Sequence, residues 1–143
     1  MRHQVFGRHL NRDIKERKAL FRSLIASLII HGRIKTTVAK AKAIRGLAEK
    51  LVTQAKEGTT SSVRQLTSFL TKKEISDKLI TKIAPLFKER IGGYLRMRRI
   101  GQRQGDRSEE VILEWTEEEK KKAPVKPVKL EKKEVAVEKE KKA

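Results

Sequence analysis

A chain of 143 residues with no internal repeat suffices for one domain, and 37% hydrophobic against 38% charged residues leaves it a lean core. A formal net charge of +18 repels itself unless a polyanion neutralises it, which puts nucleic acid ahead of an anionic membrane surface as the partner class. There is no run of about 18 apolar residues to span a bilayer, no cysteine for a disulfide or thiolate metal site, and no secretory apolar core in the polar, basic stretch Gln4 to Arg12.

Residues 1–13 gather Arg2, His3, Arg8, His9 and Arg12 around Gly7 and Asn11, with too little apolar surface to bury. They read as a basic arm, expected to be disordered alone and to order on a phosphate backbone by exchanging counterions for fixed cations. From Ile14 to Ile30, the residues Leu20, Phe21, Leu24, Ile25, Leu28 and Ile29 recur in pairs four apart, which predicts a core helix. Lys15, Lys18 and Arg22 line the edge of that stripe, either continuing the arm's charge or forming a solvated rim over apolar surface.

The stretch His31-Gly32-Arg33-Ile34-Lys35-Thr36-Thr37 is a hinge. Gly32 suits the left-handed position after a helix, and His31 suits the negative end of its dipole. Arg33 to Lys35 is expected to form a short strand with its cations outward, and Thr36 or Thr37 to cap the next helix. That helix is predicted over Val38–Glu57, with Ala41, Ile44, Ala48, Leu51, Val52 and Ala55 on its buried face and Gly58 ending it. Gly46 falls on its polar side and reads as a tolerated defect rather than a close contact.

Thr59 to Ser62 offers caps for a short third helix carrying Val63, Leu66 and Leu70. Thr71-Lys72-Lys73-Glu74 has the spacing of a capping box, so a fourth helix is expected to start there, with a stripe of Ile75, Leu79, Ile83 and Leu86. Pro85 should kink or end it, and Gly92-Gly93 should stop it. Beyond the glycines the period turns alternating: Leu95 and Met97 face one way, Tyr94, Arg96 and Arg98 the other. A loop from Gly101 to Glu109 then leads to Val111–Trp115, which predicts an antiparallel hairpin with Arg33–Thr36 as a third strand.

The expected fold class is thus α+β: about four helices on a small antiparallel sheet of two to three short strands. A basic arm (1–13) precedes the globular domain (14–116), and a Lys/Glu-rich extension (117–143) follows and is expected to be disordered. The extension holds ten Lys against seven Glu, so +15 of the charge lies ahead of it. His3, His9 and His31 lack ligand spacing, no serine elbow or phosphate loop is present, and no paired carboxylates sit at strand ends in an apolar context, so no enzyme, metal site or cofactor is expected.

Several of these motifs together resemble the bacterial-type large-subunit ribosomal protein seventeen family. They are Met1-Arg2-His3, Gly7-Arg8, Arg17-Lys18-Ala19-Leu20, Ile34-Lys35-Thr36-Thr37, Lys40-Ala41-Lys42 and Glu49-Lys50-Leu51-Val52-Thr53. In the C-terminal half they are Ile83-Ala84-Pro85, Gly92-Gly93-Tyr94, Gly101 and Gly105-Asp106. The resemblance spans about residues 1 to 115. The segment Gly58 to Lys73 departs from the Arg- and Leu-rich stretch expected there, and Gly46 stands where a proline is common.

The resemblance implies a non-enzymatic constituent of the large ribosomal subunit that binds its ribosomal RNA near the peptide exit-tunnel rim, beside other ribosomal proteins. Because the family's opening coincides with Met1, no transit peptide is expected, which favours a bacterial protein working in the cytoplasm. The candidate RNA-binding residues are Arg2, His3, Arg8, His9 and Arg12 of the arm, and Lys15, Lys18, Arg22, Arg33, Lys35, Lys40 and Lys42 of the helices and hinge. Arg96, Arg98, Arg99, Arg103 and Arg107 of the hairpin complete the set. Tyr94 is expected either to stack on a base or to pack on the hairpin. The rivals are a DNA-architectural module, for which neither long helix shows a base-reading face, and a small nuclease, for which the carboxylate or histidine cluster is lacking.

Overall fold

The computed structural model describes residues 7–117; Arg2, His3 and the extension beyond Glu117 lie outside the described residues. Helix α1 spans Ile14–His31, strand β1 Arg33–Thr37, helix α2 Val38–Glu57 and helix α3 Thr60–Leu70. Helix α4 (Lys73–Lys78) continues through a π turn at Leu79–Ile83 and a 3-10 turn at Ala84–Phe87. Strands β2 (Leu95–Gln102) and β3 (Glu109–Trp115) complete the chain. The architecture is the expected one of about four helices on a small antiparallel sheet.

The hinge turns as its residues dictate. Gly32 adopts φ 77° and its N–H donates to Leu28 O at 2.8 Å, closing α1. Another cation also meets that helix end: Lys78 Nζ donates to Ile30 O at 2.8 Å, while His31 is exposed. Thr37 takes the N-cap position of α2 and is also the last rung of β1, opposite Glu110, but its side chain makes no capping bond. Gly58, at φ 62°, ends α2 at the expected residue.

Thr59 caps α3 as expected, its hydroxyl accepting from Ser62 N at 3.2 Å. The capping box at Thr71 is not formed. Thr71 sits at φ 60° and closes α3 instead, its N–H donating to Thr67 O and its hydroxyl to Leu70 O. Lys72 therefore takes the N-cap position of α4.

Pro85 has no N–H for Thr81 O, and the helix reaches it by widening: Ala84 N–H donates to Leu79 O, five residues back. It then tightens into the 3-10 turn and ends at Phe87, well before Gly92-Gly93.

Strand order is β1-β3-β2, with both pairings antiparallel. On the inner face of β3, Leu113 and Trp115 join the stripes of α1 (Ile25, Leu28, Ile29) and α2 (Ile44, Ala48, Leu51, Val52, Ala55) in one core, and Val111 on the same face is buried too. Phe87 anchors the end nearest β2. It is fully buried, with the Tyr94 ring 5.1 Å and the Trp115 ring 6.0 Å from its own.

Tyr94 does not share the outward face of Arg96. It lies one residue before β2, outside the alternation, and is buried with its hydroxyl donating to Ile91 O at 3.0 Å. Lys56 braces the same corner, donating to Tyr94 Oη and to Arg90 O. Base stacking by Tyr94 is thereby excluded in this fold.

Candidate nucleic-acid interface

Alternation along β3 turns Glu110, Ile112 and Glu114 to the solvent side of the sheet, opposite its buried residues. Register then decides what they meet. Arg33 and Arg96 flank Glu114 on the two edge strands, and Lys35 and Arg98 flank Ile112.

Glu114 Oε1 accepts from Arg96 Nε at 3.0 Å and lies 2.8 Å from Arg96 Nη2, with Arg98 Nη1 at 3.9 Å. Glu110 pairs with Lys35 Nζ at 2.7 Å and with Arg103 Nη1 at 3.7 Å. The two acids were not among the sequence-derived site residues. The signal for them is Glu110 and Glu114 at even spacing within a strand, but only the register shows which cations they collect.

A bulge between Arg99 and Gly101 shifts the register before pairing resumes at Gly101 and Gln102; Gly101 has φ 144°, and Ile100 is exposed. In the following turn the Arg103 guanidinium clasps Asp106 in a two-point bond, 3.1 Å from Nε to Oδ1 and 2.7 Å from Nη2 to Oδ2. Ser108 N adds a bond to Oδ1 at 3.3 Å. The Arg103 hydrogen bond, joined by the Ser108 N–H, pulls the Asp106 carboxyl down to about 2, and Asp106 in turn raises the guanidinium of Arg103.

A second group of cations surrounds the start of α1. Arg8, Arg12, Lys15 and Lys18 are exposed and make no ion pair among the described residues. The described part of the arm turns at Leu10 and Asn11, both at positive φ, and His9 Nδ1 accepts from Arg17 Nη1 at 2.9 Å. Arg22, farther along, is half-buried and donates to Phe69 O. Lys40 is half-buried and Lys42 exposed in the first turns of α2, while Arg33, Arg99 and Arg107 are exposed and make no ion pair among the described residues. The structure thus brings Arg33, Lys35, Arg96, Arg98 and Arg103 together on one sheet face, and keeps Arg8, Arg12, Lys15 and Lys18 as a separate group.

Among the described residues, no group of three or more His, Cys, Asp or Glu is placed to hold a metal ion, and no helix is long and apolar enough to cross a membrane. Fold and surface together define a small, strongly basic α+β protein whose sheet carries more cations than acids toward solvent. A family model described as ribosomal protein L17 matches residues 20–116. The chain is 45% identical over 119 residues to the large ribosomal subunit protein bL17 of Pelobacter propionicus, covering 83% of this chain and 94% of that one. To the bL17 protein of Thermodesulfovibrio yellowstonii it is 49% identical over 117 residues, covering 82% and 88%. To that of Clostridium kluyveri it is 49% identical over 107 residues, covering 75% and 95%. The chain belongs to the L17 family of bacterial-type large-subunit ribosomal proteins, which is a family of ribosomal proteins and not of enzymes.

Proposed function

We propose that this protein is a structural constituent of the large ribosomal subunit that binds large-subunit ribosomal RNA by neutralising its phosphates. The observation that carries this reading is the placement of charge. In a chain of a ribosomal family, +15 lies on residues 1–116, and two groups of exposed cations stand on the start of α1 and on the solvent face of the sheet. Contacts of this kind position a protein on folded RNA and make its affinity strongly salt-dependent, while sequence is read through RNA shape and unpaired bases.

The division of labour is part of the proposal. Residues 1–13 serve as a basic arm, 14–116 as the RNA-binding domain and 117–143 as an extension of minor charge. The site lies near the exit-tunnel rim, beside neighbouring ribosomal proteins, and the protein works in the cytoplasm; the family resemblance supports that position.

Sucrose-gradient fractionation of a native lysate at rising salt, with the protein followed by mass spectrometry, tests the function. Co-migration with the large subunit through moderate salt is the expected result. A protein that stays at the top of the gradient, or follows the nucleoid and prefers duplex DNA to structured RNA, overturns it. Ultraviolet crosslinking within purified subunits tests the position, because adducts confined to RNA remote from the tunnel rim would remove it.

A further inference from the structure

We infer that Glu114 and Glu110 are positioning residues for RNA binding: they hold Arg96, Arg98, Lys35 and Arg103 in a prebuilt arrangement that receives adjacent phosphates of a folded RNA. The inference rests on the RNA-binding reading above and adds to it a role for two acids on a surface that must attract a polyanion.

The face is layered. The side chains of Glu114 and Glu110 are only 8% and 12% exposed, whereas those of Arg96, Arg98 and Lys35 are 55%, 65% and 58% exposed. The acids form a floor and the cations a roof, so an approaching phosphate meets nitrogen before it meets carboxylate. Because β3 is the central strand, each acid is within reach of neighbouring elements: Glu114 is flanked by Arg33 on β1 and paired to Arg96 and Arg98 on β2, and Glu110 takes Lys35 from β1 and Arg103 from the turn. Four cations pair with these two acids and Asp106, and Arg33 lies opposite Glu114 in the register, so the face keeps a positive excess.

Stability alone is a poor reason for this arrangement. Burying a carboxylate costs desolvation energy, and partly exposed ion pairs return little of it. Binding supplies a better one. Long arginine and lysine side chains lose rotamer freedom when they clamp a phosphate, and an acid that fixes them beforehand removes that loss from the binding step. Glu114 engages Nε and Nη2 of Arg96 through one oxygen, which leaves the remaining N–H donors of that guanidinium for a ligand. Ile112, half-buried, stands between Lys35 and Arg98 in the register, an apolar residue among the cations.

The test compares two substitutions of equal charge in the full chain, with purified bacterial large-subunit ribosomal RNA as the probe, in filter binding over a salt series. Glu114→Gln removes the charge and keeps an oxygen that accepts from Arg96; Glu114→Leu removes both. Coulomb's law alone makes the two bind alike, each tighter than the unaltered protein. Positioning makes Glu114→Leu bind about fivefold more weakly than Glu114→Gln, the size of one oriented hydrogen bond. Glu110→Gln and Glu110→Leu repeat the comparison beside Lys35, and near-UV circular dichroism of the buried Tyr94 and Trp115 verifies that each variant is folded.

Equal affinities within both pairs overturn the inference. If the unaltered chain binds this RNA with a steep salt dependence and the paired variants do not differ, only the positioning role falls. If the unaltered chain does not bind it, the RNA-binding reading itself falls.

Discussion

Arg22 on α1 and Phe69 on α3 are joined twice: Nε donates to the Phe69 carbonyl at 2.6 Å, and the guanidinium lies 5.9 Å from the centre of the ring. The carbonyl belongs to the last turn of α3, where acceptors lack partners within the helix. Arg22→Ala should therefore destabilise the domain by about 1–2 kcal/mol, seen as a lower urea midpoint. A fall in RNA affinity in that variant has to be compared at matched folded fraction, since this cation holds two helices together whatever else it touches.

Phe87 is the largest test of the core. With Tyr94 and Trp115 against it and no solvent exposure, Phe87→Ala should cost about 3–5 kcal/mol in denaturant unfolding. Trp115→Phe should cost clearly less. The indole Nε1 is buried and has no hydrogen-bond partner among the described residues, so its removal takes away an unsatisfied donor along with the volume.

Gly46 points the other way. It stands exposed inside α2, and a Cβ built there meets nothing within 4 Å. Gly46→Ala should stabilise the protein by up to ~1 kcal/mol, read as a higher thermal midpoint, with no change in RNA affinity.

The turn after β2 should depend on acid pH. The Asp106 carboxyl is lowered in the folded chain from its ordinary 3.8 to about 2, chiefly by the Arg103 hydrogen bond. A depressed folded value means that its contribution is whole above 3.8 and is lost as pH falls towards 2. The Ser108 amide, which donates to the same carboxylate, should report a midpoint near the lowered value in an NMR titration. Asp106→Asn should abolish that transition and leave the core unchanged.

Replacing Arg96 and Arg98 together by Ala should weaken binding to large-subunit ribosomal RNA without unfolding the domain, compared at matched folded fraction because the change leaves the buried Glu114 carboxylate without its partners. The slope of log affinity against log salt should become shallower by about one for each phosphate that is no longer neutralised. An unchanged slope would take the β2 cations out of the interface.

Helices with clean terminal signals were legible residue by residue. Val38–Glu57 was bounded by a threonine pair and Gly58, and each of its six apolar stripe positions is buried. The misreadings came where one residue served two elements. Thr71 has the side chain of a cap and the spacing of a box, yet its backbone is used to close α3. Phe87 was absent from the expected stripe because the π turn before Pro85 shifts the helical phase, bringing Phe87 inward where the regular period pointed to Leu86. Tyr94 fitted an alternating pattern that starts only at the next residue.

For the candidate interface, the sequence supplied the cations but not their partners. Which acid lies beneath which arginine depends on the register of three strands and on a bulge at Ile100, neither of which a local pattern encodes.

The strand synthesised last is the one in the middle. β1 emerges early and β2 much later, yet neither has a partner in the sheet until Glu109–Trp115 arrives between them. A nascent chain that stops short of Glu109 therefore has neither pairing of this sheet, and its arginines have no floor to rest on. On the proposed reading, recognition of RNA by the sheet face waits until β3 has been made, because the cations of β1 and β2 share a face only through it.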